Sequence, residues 1–192
     1  MVEHDQDSSD QDLVRASLAD RHSFALLVSR YEQRLRRYVM RLGMLDPENA
    51  KDILQESFIK AYINLNDYDQ SLPFSAWLYR IARNETFSHY RRQKNRPRVL
   101  ESADEEMFER VADDLNIEHE ANKTSAHAAV RAAVESLDLK YRDIVLLRYF
   151  EDKSYAEISD ILELPEGTVA AYINRAKAKL KEALKRYDES NQ

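Results

Sequence analysis

The chain has 192 residues, with two glycines, four prolines, no cysteine and a formal net charge of −6. The lack of cysteine excludes disulfides, thiolate catalysis and cysteine-based zinc sites. No apolar run approaches the ~18 residues of a membrane span, and the acidic N-terminus is unlike a signal peptide, so we expect a cytoplasmic protein without membrane insertion. The scarcity of turn-forming residues predicts long helices joined by short loops.

The charge alternates in blocks along the chain. Residues 21–97 carry 14 basic and 8 acidic groups, residues 98–122 carry 2 basic and 9 acidic groups, and residues 123–187 carry 12 basic and 10 acidic groups. Two positive blocks are therefore separated by an acidic strip. This pattern is compatible with nucleic-acid binding despite the negative total, because phosphates respond to local positive patches.

The first block predicts three amphipathic helices. Apolar residues recur every three or four positions over 21–42, which is typical of one buried helical stripe, and Gly43 is expected just past its end. A second helix begins at Asp46, an N-cap that is followed by proline. A third is predicted over about 74–92, and the segment 64–71, rich in Asn and Asp, is predicted to be a loop.

The second block predicts a helix-turn-helix. Helices over about 124–137 and 140–150 come first, and Ser154 and Glu157 then form a capping-box pattern that opens a short helix. After a turn, the last helix is predicted over about 166–186. In a helix-turn-helix this last helix enters a DNA major groove, although an ordinary helical hairpin with a solvated basic face would show the same capping and charge.

These patterns predict an all-α fold of two small helical domains, with no strands. We divide the chain into a disordered acidic tail (1–9), a first domain (10–97), an acidic flexible linker (98–122) and a second domain (123–187). The linker is expected to be extended or partly disordered when the chain is free, because its apolar content is low and its periodicity is poor.

The second block resembles region 4 of bacterial sigma factors. The resemblance lies in Ser154-Tyr-Ala-Glu-Ile158, Gly167-Thr-Val169 and Arg175-Ala-Lys177, and in the preceding Leu137-Asp-Leu-Lys-Tyr-Arg-Asp-Ile-Val-Leu-Leu-Arg-Tyr149. The first block resembles sigma region 2 independently, in Asp52-Ile-Leu-Gln-Glu-Ser-Phe-Ile-Lys-Ala61 and Phe74-Ser-Ala-Trp-Leu-Tyr-Arg-Ile-Ala-Arg-Asn84. The order, the spacing and the lack of a region 3 domain are similar to the extracytoplasmic-function (ECF) group of the sigma-70 family, over about residues 10–187.

This resemblance implies a subunit that gives core RNA polymerase its promoter specificity and is not itself an enzyme. Region 4 is expected to read the minus-35 promoter element as duplex DNA. Region 2 is expected to bind and melt the minus-10 element, to capture the non-template strand and to hold a flipped base. The implied partners are promoter DNA, the clamp helices and flap of core polymerase, and an anti-sigma factor that the sequence does not identify.

The outward side of the last helix supplies the candidate minus-35 contacts. They are Thr168, Ala170, Ala171, Tyr172, Asn174, Arg175, Lys177 and Lys179. The family often carries Lys, Ser and Arg directly after Gly-Thr-Val, where this chain has Ala170, Ala171 and Tyr172. The loss of two cations predicts weaker phosphate binding, whereas the alanines suit contact with thymine methyl groups.

The candidate minus-10 contacts combine positive charge with polar or flat surfaces for unstacked bases. They are Asn66, Asp67, Tyr68, Arg80, Arg83, Asn84, Ser88, Tyr90 and Arg91. The loop residues among them, 66–68, are expected to hold the flipped base. Trp77 lies on the apolar stripe of its helix and is assigned to the core.

The candidate contacts to core polymerase are Asp52, Gln55, Glu56 and Lys60, on or near the polar face of the second helix. Such a face is solvated in an ordinary helix, but the resemblance to the helix that docks on the polymerase clamp favours docking. The acidic linker is expected to act as a tether, to thread through positively charged polymerase channels, or both.

Two other classes of protein are alternatives. A stand-alone helix-turn-helix regulator would use the first block as a sensor or dimerisation domain and would bind a palindromic site without polymerase. A helical hydrolase would need a His–carboxylate cluster, a phosphate-binding glycine loop or a nucleophile elbow, and the sequence contains none of these. No cofactor or metal site is predicted.

Overall fold

The computed structural model describes residues 8–43, 45–92 and 123–190. Within these ranges it contains eight α-helices and no strand, which confirms the all-α prediction. The helices are α1 (Asp10–Ala19), α2 (Phe24–Gly43), α3 (Pro47–Ile63), α4 (Phe74–Arg92), α5 (Lys123–Ser136), α6 (Leu139–Val145), α7 (Tyr155–Leu162) and α8 (Glu166–Ser190). We call α1–α4 the amino-terminal bundle and α5–α8 the carboxy-terminal bundle. The predicted linker (98–122) and residues 1–7 of the predicted tail lie outside the described residues.

Helix α1 is absent from the sequence prediction, which begins its first helix at residue 21. The Ser9 side chain caps this helix by accepting the backbone N–H of Asp12 at 3.2 Å. Asp10 accepts hydrogen bonds from Arg30, at 2.7 Å, and from the Tyr31 hydroxyl. Leu13 and Val14 are buried as well, so this ten-residue helix is held by docking against its bundle rather than by a long periodic stripe of its own.

The predicted helix starts of α3 and α7 are confirmed. Asp46 Oδ1 accepts the Asn49 N–H at 2.9 Å. At α7, Ser154 Oγ accepts the Glu157 N–H at 3.2 Å while Glu157 Oε2 accepts the Ser154 N–H at 2.9 Å. This reciprocal capping box fixes where the first helix of the helix-turn-helix begins.

Gly43 is the last residue of α2, and its φ is not positive, so it does not form the left-handed cap expected just past the helix. Its role is steric. A Cβ at this position would lie 2.8 Å from Leu45 Cγ and 3.1 Å from Thr86 Cγ2. A larger residue here would have to displace the Leu45 side chain and shift Thr86 of α4, so glycine suits the close packing at the end of α2.

The predicted helix over 140–150 is not a uniform α-helix. It consists of α6 and a π-helical turn, Leu146–Phe150. The chain then turns at Asp152, whose φ is 52°. This wider turn carries Phe150 and Glu151 toward α2, where both are buried.

Each bundle has a core that follows the predicted stripes. In the amino-terminal bundle Phe74 packs its ring 5.9 Å from Tyr31 and 5.7 Å from Trp77, which confirms the assignment of Trp77 to the core. Along α3 the predicted stripe is buried at Ala50, Ile53, Leu54, Phe58 and Ala61, whereas Tyr62 on the same stripe is 43% exposed and meets Phe24 at the rim of the bundle. In the carboxy-terminal bundle the predicted inward residues of α8 are all buried: Val169, Ile173, Ala176, Leu180 and Leu184.

The two bundles pack against one another. Helix α4 contacts α7, and α2 contacts α6 and the π-helical turn. The buried side chains of both bundles form one continuous cluster. None of the helices in the described ranges combines the length and apolar character that crossing a bilayer requires.

Candidate nucleic-acid interface

The second helix of the helix-turn-helix, α8, turns one face into its bundle and the opposite face to solvent. Successive residues of an α-helix are separated by about 100°. Because Val169, Ile173 and Ala176 are buried, Ala171 and Asn174 lie near the centre of the outward face. Asn174 is exposed and Ala171 half-buried. The helix therefore offers a narrow polar ridge that protrudes from the turn before it.

The other predicted minus-35 residues lie along this ridge or at its edges. The exposed Arg175 lies beside the centre, and half-buried Ala170 and Lys177 form one edge. The other edge holds Thr168, Tyr172 and Lys179.

One edge of this face packs against α6. The Tyr172 ring is half-buried with its centroid 6.2 Å from that of Tyr141, and Lys179 Nζ lies 5.2 Å from the Tyr141 ring. Lys179 Nζ also lies 3.9 Å from Asp138 Oδ2. The Arg175 guanidinium lies 6.0 Å from the Tyr172 ring. Tyr172 therefore supports this edge of the helix and is less available than its exposed neighbours.

Two of the predicted minus-10 cations on α4 contact the carboxy-terminal bundle. Arg83 Nε donates to Asp143 Oδ2 at 2.5 Å, and the Arg83 guanidinium covers the Phe87 ring at 4.5 Å. Arg80 Nη1 donates to Glu163 Oε1 at 3.0 Å. Glu163 lies in the turn of the helix-turn-helix, where its φ is 54°. Sequence periodicity could not reveal these pairs because they join residues 60 to 83 positions apart.

The far end of α4 is more open. Asn84 and Arg91 are exposed, and Tyr90 is 40% exposed. Ser88 is half-buried, and its Oγ accepts a hydrogen bond from Arg91 Nη2 at 3.3 Å. This part of the predicted minus-10 set shares one accessible stretch of helix.

The predicted base-holding loop divides into exposed and buried residues. Asn66 and Asp67 are exposed in a 3-10 turn, Leu65–Asp67. Tyr68 is only 5% exposed, and its ring packs 5.1 Å from Trp77 and 5.5 Å from Phe74. Its hydroxyl donates to a backbone carbonyl within the loop. The expectation that Tyr68 forms an open wall for a base is therefore corrected, because its ring already fills the core beneath the loop.

The polar face of α3 is accessible. Asp52, Gln55 and Glu56 are exposed, whereas Lys60 Nζ donates to Glu85 Oε1 at 2.7 Å and is half-buried. Two exposed apolar residues also lie on this face, outside the predicted set of contacts.

These neighbours are Ile59 and Ile63, which are 44% and 68% exposed. The sequence does carry a signal for them, because both are apolar residues that lie off the buried stripe of α3.

Two carboxylates of the carboxy-terminal bundle are buried against the amino-terminal bundle. Asp143 Oδ1 accepts the Tyr38 hydroxyl at 2.7 Å, and Glu151 Oε2 accepts the Tyr79 hydroxyl at 2.5 Å. Burial raises the pKa of both carboxyls, and the cations and hydroxyls around them only partly oppose this. Burial and the neighbouring carboxylate also raise the pKa of Tyr79. None of these four residues is distinguished in the sequence from ordinary core or surface positions.

Among the described residues, no cluster of three or more His, Asp or Glu side chains has the arrangement of a metal site. The chemistry on the surface is that of hydrogen-bond donors, acceptors and cations. Such groups bind phosphates and base edges.

Comparisons with known proteins agree with the helix-turn-helix and with the helices before it. The family model for sigma-70 region 2 matches residues 27–96, and that for sigma-70 region 4 matches residues 127–180. The ECF RNA polymerase sigma factor SigW of Bacillus subtilis is 32% identical over 171 residues, which cover 86% of this chain and 91% of SigW. The RNA polymerase sigma-H factor of Pseudomonas aeruginosa is 33% identical over 181 residues, which cover 91% of this chain and 93% of that factor.

The fold is also similar to a solved structure, that of CnrH in complex with the cytosolic domain of CnrY. The TM-score is 0.67 at 25% sequence identity, and the match covers 93% of this chain and 99% of CnrH. Sequence relatives, family models and fold agree over both bundles. The chain therefore belongs to the sigma-70 family of RNA polymerase sigma factors, in its extracytoplasmic-function group.

Proposed function

We propose that this chain binds core RNA polymerase and directs promoter-specific initiation of transcription. The observation that carries the proposal is the match to regions 2 and 4 together, in family order, on a chain whose helix-turn-helix exposes a polar and basic face. The chain itself would have no catalytic activity, because RNA synthesis belongs to the core enzyme. Its place of action would be the cytoplasm, with the polymerase.

The division of labour follows the proposed domains, 10–97 and 123–187, which are joined by the acidic linker 98–122. The linker carries 9 acidic and 2 basic groups. That charge suits passage along positive polymerase channels as well as a simple tethering role.

In the proposed complex α8 enters the major groove of the minus-35 duplex. Asn174 and Arg175 are exposed and have the side chains that read adenine and guanine edges, where one good bidentate contact is worth about 1–3 kcal/mol. Phosphate contacts would come from Thr168, Lys177 and Lys179. The small side chains of Ala170 and Ala171 would lie against thymine methyl groups, and Tyr172 would support Arg175 from the edge of the helix.

The proposed minus-10 site extends from the loop after α3 to the end of α4. Asn66 and Asp67 would contact the flipped base through their polar edges. The non-template strand would follow α4 and meet the side chains that line it: Arg80, Arg83, Asn84, Ser88, Tyr90 and Arg91. Tyr90 offers the exposed ring on which a base would stack.

We propose that the exposed face of α3 docks on the clamp helices of core polymerase. Asp52, Gln55 and Glu56 would provide polar contacts, and Ile59 and Ile63 would bury apolar area, at roughly 25 cal/mol per Å². Lys60 would lie at the edge of this contact, held by Glu85. Region 4 would contact the polymerase flap.

The docking face gives a direct prediction. Gln55→Ala with Glu56→Ala should weaken binding to core polymerase without loss of helicity, because both side chains are exposed and leave the bundle core intact. The matched control is Glu32→Ala with Gln33→Ala, which removes the same two side-chain types from the exposed face of α2. Equal core affinity for both double variants would contradict the placement of the docking face.

An anti-sigma factor is the other proposed partner. The solved structure with a similar fold contains CnrH together with the cytosolic domain of CnrY. By this likeness we propose that a regulatory protein of that kind binds the present chain and competes with core polymerase.

Run-off transcription with purified core polymerase tests the function. The account predicts that core enzyme starts transcripts at discrete promoters only when this chain is added. The stand-alone regulator predicts instead a footprint on palindromic DNA without polymerase. That footprint, with no association with core enzyme, would overturn the sigma assignment of function.

A further inference from the structure

We propose that Asp10 is a positioning residue for minus-10 recognition, because it fastens α1 to α2 and thereby fixes the loop that holds the flipped base. We call residues 64–73, between α3 and α4, the base loop, and the bonds of Asp10 to Arg30 and Tyr31 the Asp10 clip. The role of the base loop in holding a flipped base rests on the proposed function. The contacts between the clip and the loop rest on described residues alone.

The clip joins both oxygens of one carboxylate to α2. Asp10 Oδ1 accepts Arg30 Nη1 at 2.7 Å, and Asp10 Oδ2 accepts the Tyr31 hydroxyl. Arg30 Nη2 also donates to the Ser8 carbonyl at 2.8 Å, so the guanidinium holds the chain just before α1 as well. A charge-assisted hydrogen bond is about twice as strong as a neutral one. Asp10 therefore fixes where the start of α1 lies on α2.

The fastened helix covers one side of the base loop. Helix α1 contacts the 3-10 turn Leu65–Asp67, which is the first part of the loop. Two apolar side chains of α1, Leu13 and Val14, are buried, as is Leu65 of the turn. The other two residues of the turn are exposed and are the proposed contacts to the flipped base. The position of α1 thus determines where these two polar side chains lie.

The other side of the base loop rests on an aromatic cluster that begins at Tyr31. The Tyr31 ring lies 5.9 Å from the Phe74 ring, and the Phe74 ring lies 5.5 Å from that of Tyr68. Tyr68 also packs 5.1 Å from Trp77. Its hydroxyl donates to the Leu72 carbonyl and so joins the two halves of the loop. The clip therefore reaches the loop by two routes, through α1 and through the Tyr31 ring.

Asp10 also acts on two tyrosines through its charge. Burial raises the pKa of Tyr31, and the hydrogen bond and the charge of Asp10 raise it further. Burial raises the pKa of Tyr68 as well, and the charge of Asp10 adds to that rise. Both phenols therefore stay protonated at neutral pH and donate the hydrogen bonds that hold the clip and the loop.

A simpler explanation is that Asp10 only stabilises the start of α1. Asp10 and Asp12 both lie in the first turn of this helix, where a carboxylate interacts favourably with the helix dipole. Asp12 Oδ2, however, accepts the Ser9 hydroxyl at 2.6 Å, and Asp12 Oδ1 lies 3.6 Å from Arg15 Nη1. The two carboxylates share the effect on the helix start and differ in the link to α2. Asp12 therefore supplies the matched control.

Trp77 provides the first measurement, because it is the single tryptophan of the chain and packs against Tyr68. Its fluorescence reports the packing beneath the base loop in the free chain, without DNA or polymerase. Asp10→Asn replaces one acceptor oxygen by an amide nitrogen, which cannot accept a hydrogen bond. We expect this variant to shift Trp77 emission to longer wavelength and to strengthen its quenching by acrylamide. Asp12→Asn should leave both at the wild-type value.

The second measurement uses holoenzyme and the single-stranded non-template DNA of a promoter at which the wild type starts transcripts. Removal of one base at a time identifies the flipped base as the position where an abasic site weakens binding most. In the wild type this penalty should be about tenfold or more, the size of one good base contact. Asp10→Asn should reduce that penalty by about threefold or more and leave the penalties at other positions unchanged.

Tyr31→Phe removes the phenol of the clip and keeps the ring that packs on Phe74. It should reproduce the change at the flipped base. Asp10→Asn with Tyr31→Phe should be no worse than Asp10→Asn alone, because the two changes break the same bond. Circular dichroism and core affinity check that each variant keeps its helices and its contact with polymerase. This milder variant keeps the test decisive if Asp10→Asn folds poorly.

The expected result is stronger Trp77 quenching together with a smaller penalty at one base, in both clip variants and not in Asp12→Asn. Unchanged quenching in the folded clip variants, or stronger quenching with an unchanged base penalty, would overturn the proposal. An equal loss at every base position, or the same loss in Asp12→Asn, would also overturn it, because the clip would then be a general stabiliser. If wild-type holoenzyme starts no transcripts, the proposed function fails, and the Trp77 result still shows whether the clip holds the base loop.

Discussion

Helices α4 and α8 are both long, basic helices that carry candidate DNA contacts, but the fold treats them differently. The outward face of α8 keeps Asn174 and Arg175 exposed. The start of α4 instead pairs Arg80 and Arg83 with carboxylates of the other bundle. The difference teaches that a basic helix face is not by itself a free DNA-binding face. Its availability depends on which acidic groups the rest of the chain can bring to it.

The strongest test of this difference is Arg83→Glu. The substitution places a second carboxylate beside buried Asp143, and loss of a buried ion pair of this kind costs about 3–5 kcal/mol. We call the arrangement in which the two bundles pack together the docked chain. Its measure is energy transfer between dyes on Glu48→Cys and Lys181→Cys, which are exposed positions of the two bundles in a chain without native cysteine. We predict that the free chain undocks, with low energy transfer between the labelled bundles. Transcription should also fall, because the minus-10 site loses a cation.

The contrasting substitution is Arg91→Glu. Arg91 lies at the exposed end of α4, and its guanidinium donates to Ser88 one turn earlier in the same helix. It should reduce transcription but leave energy transfer unchanged. If both variants undock equally, the docked arrangement does not depend on the Arg83–Asp143 pair.

A smaller effect is expected on α8 from Arg175→Ala. Loss of one base-reading contact should weaken promoter binding by the holoenzyme by about 1–3 kcal/mol at one base position. Energy transfer in the free chain should stay at the wild-type value, since Arg175 is exposed and contacts Tyr172 of its own helix. Binding of promoter variants by gel shift measures the base preference, and an unchanged preference would remove Arg175 from the proposed contacts.

Ala170→Lys tests whether the position directly after Gly167-Thr-Val169, where the family often carries Lys, meets a phosphate. An added phosphate contact should steepen the dependence of log affinity on log salt by about 0.9. The measurement is a salt titration of holoenzyme on promoter DNA, with Glu182→Lys, at a position further along α8, as the control for added charge. The same slope for both lysine variants would mean that position 170 does not meet a phosphate.

The smallest expected effect is that of pH on docking. Burial raises the pKa of Asp143 and Glu151 above their ordinary values of 3.8 and 4.5. The docked chain therefore binds more protons than the open chain between the ordinary and the raised values. Docking should strengthen as pH falls through that range and weaken as pH rises.

We predict higher energy transfer at about pH 5 than at neutral pH in the wild type. Asp143→Ala with Glu151→Ala should show no such rise. A fall in wild-type transfer on acidification would mean that the charged pairs hold the bundles together more strongly than burial of the carboxyls opposes them.

Much of the fold follows from local rules that the sequence displays. Periodicity identifies the inward faces of α2, α4 and α8, and the caps at Asp46 and Ser154 fix where two helices begin. These rules do not predict helix α1, because it is short and is held by contacts of Asp10 to α2. They do not predict the π-helical turn either, because its apolar pattern is the same as that of a continued α-helix.

The candidate site residues show the same contrast: those set by a local helical pattern could be predicted, and those set by tertiary contacts could not. The exposed residues of α3 and α8 were predictable because each helix needs only one buried stripe, and what remains faces solvent. Tyr68 was misjudged because a polar loop sequence hides an aromatic contact with the core. The contacts between the two bundles could not be predicted, because the phenols of Tyr38 and Tyr79 look like ordinary core aromatics until the carboxylates of a distant segment meet their hydroxyls.

The most direct test of the account follows energy transfer in the doubly labelled wild-type chain as core RNA polymerase is added at a promoter. The account predicts high transfer in the free chain, a fall as holoenzyme forms, and run-off transcripts that appear in proportion to the fall. Full transcription with unchanged transfer would contradict it, because the carboxy-terminal bundle would then still hold Arg80 and Arg83 in an active complex.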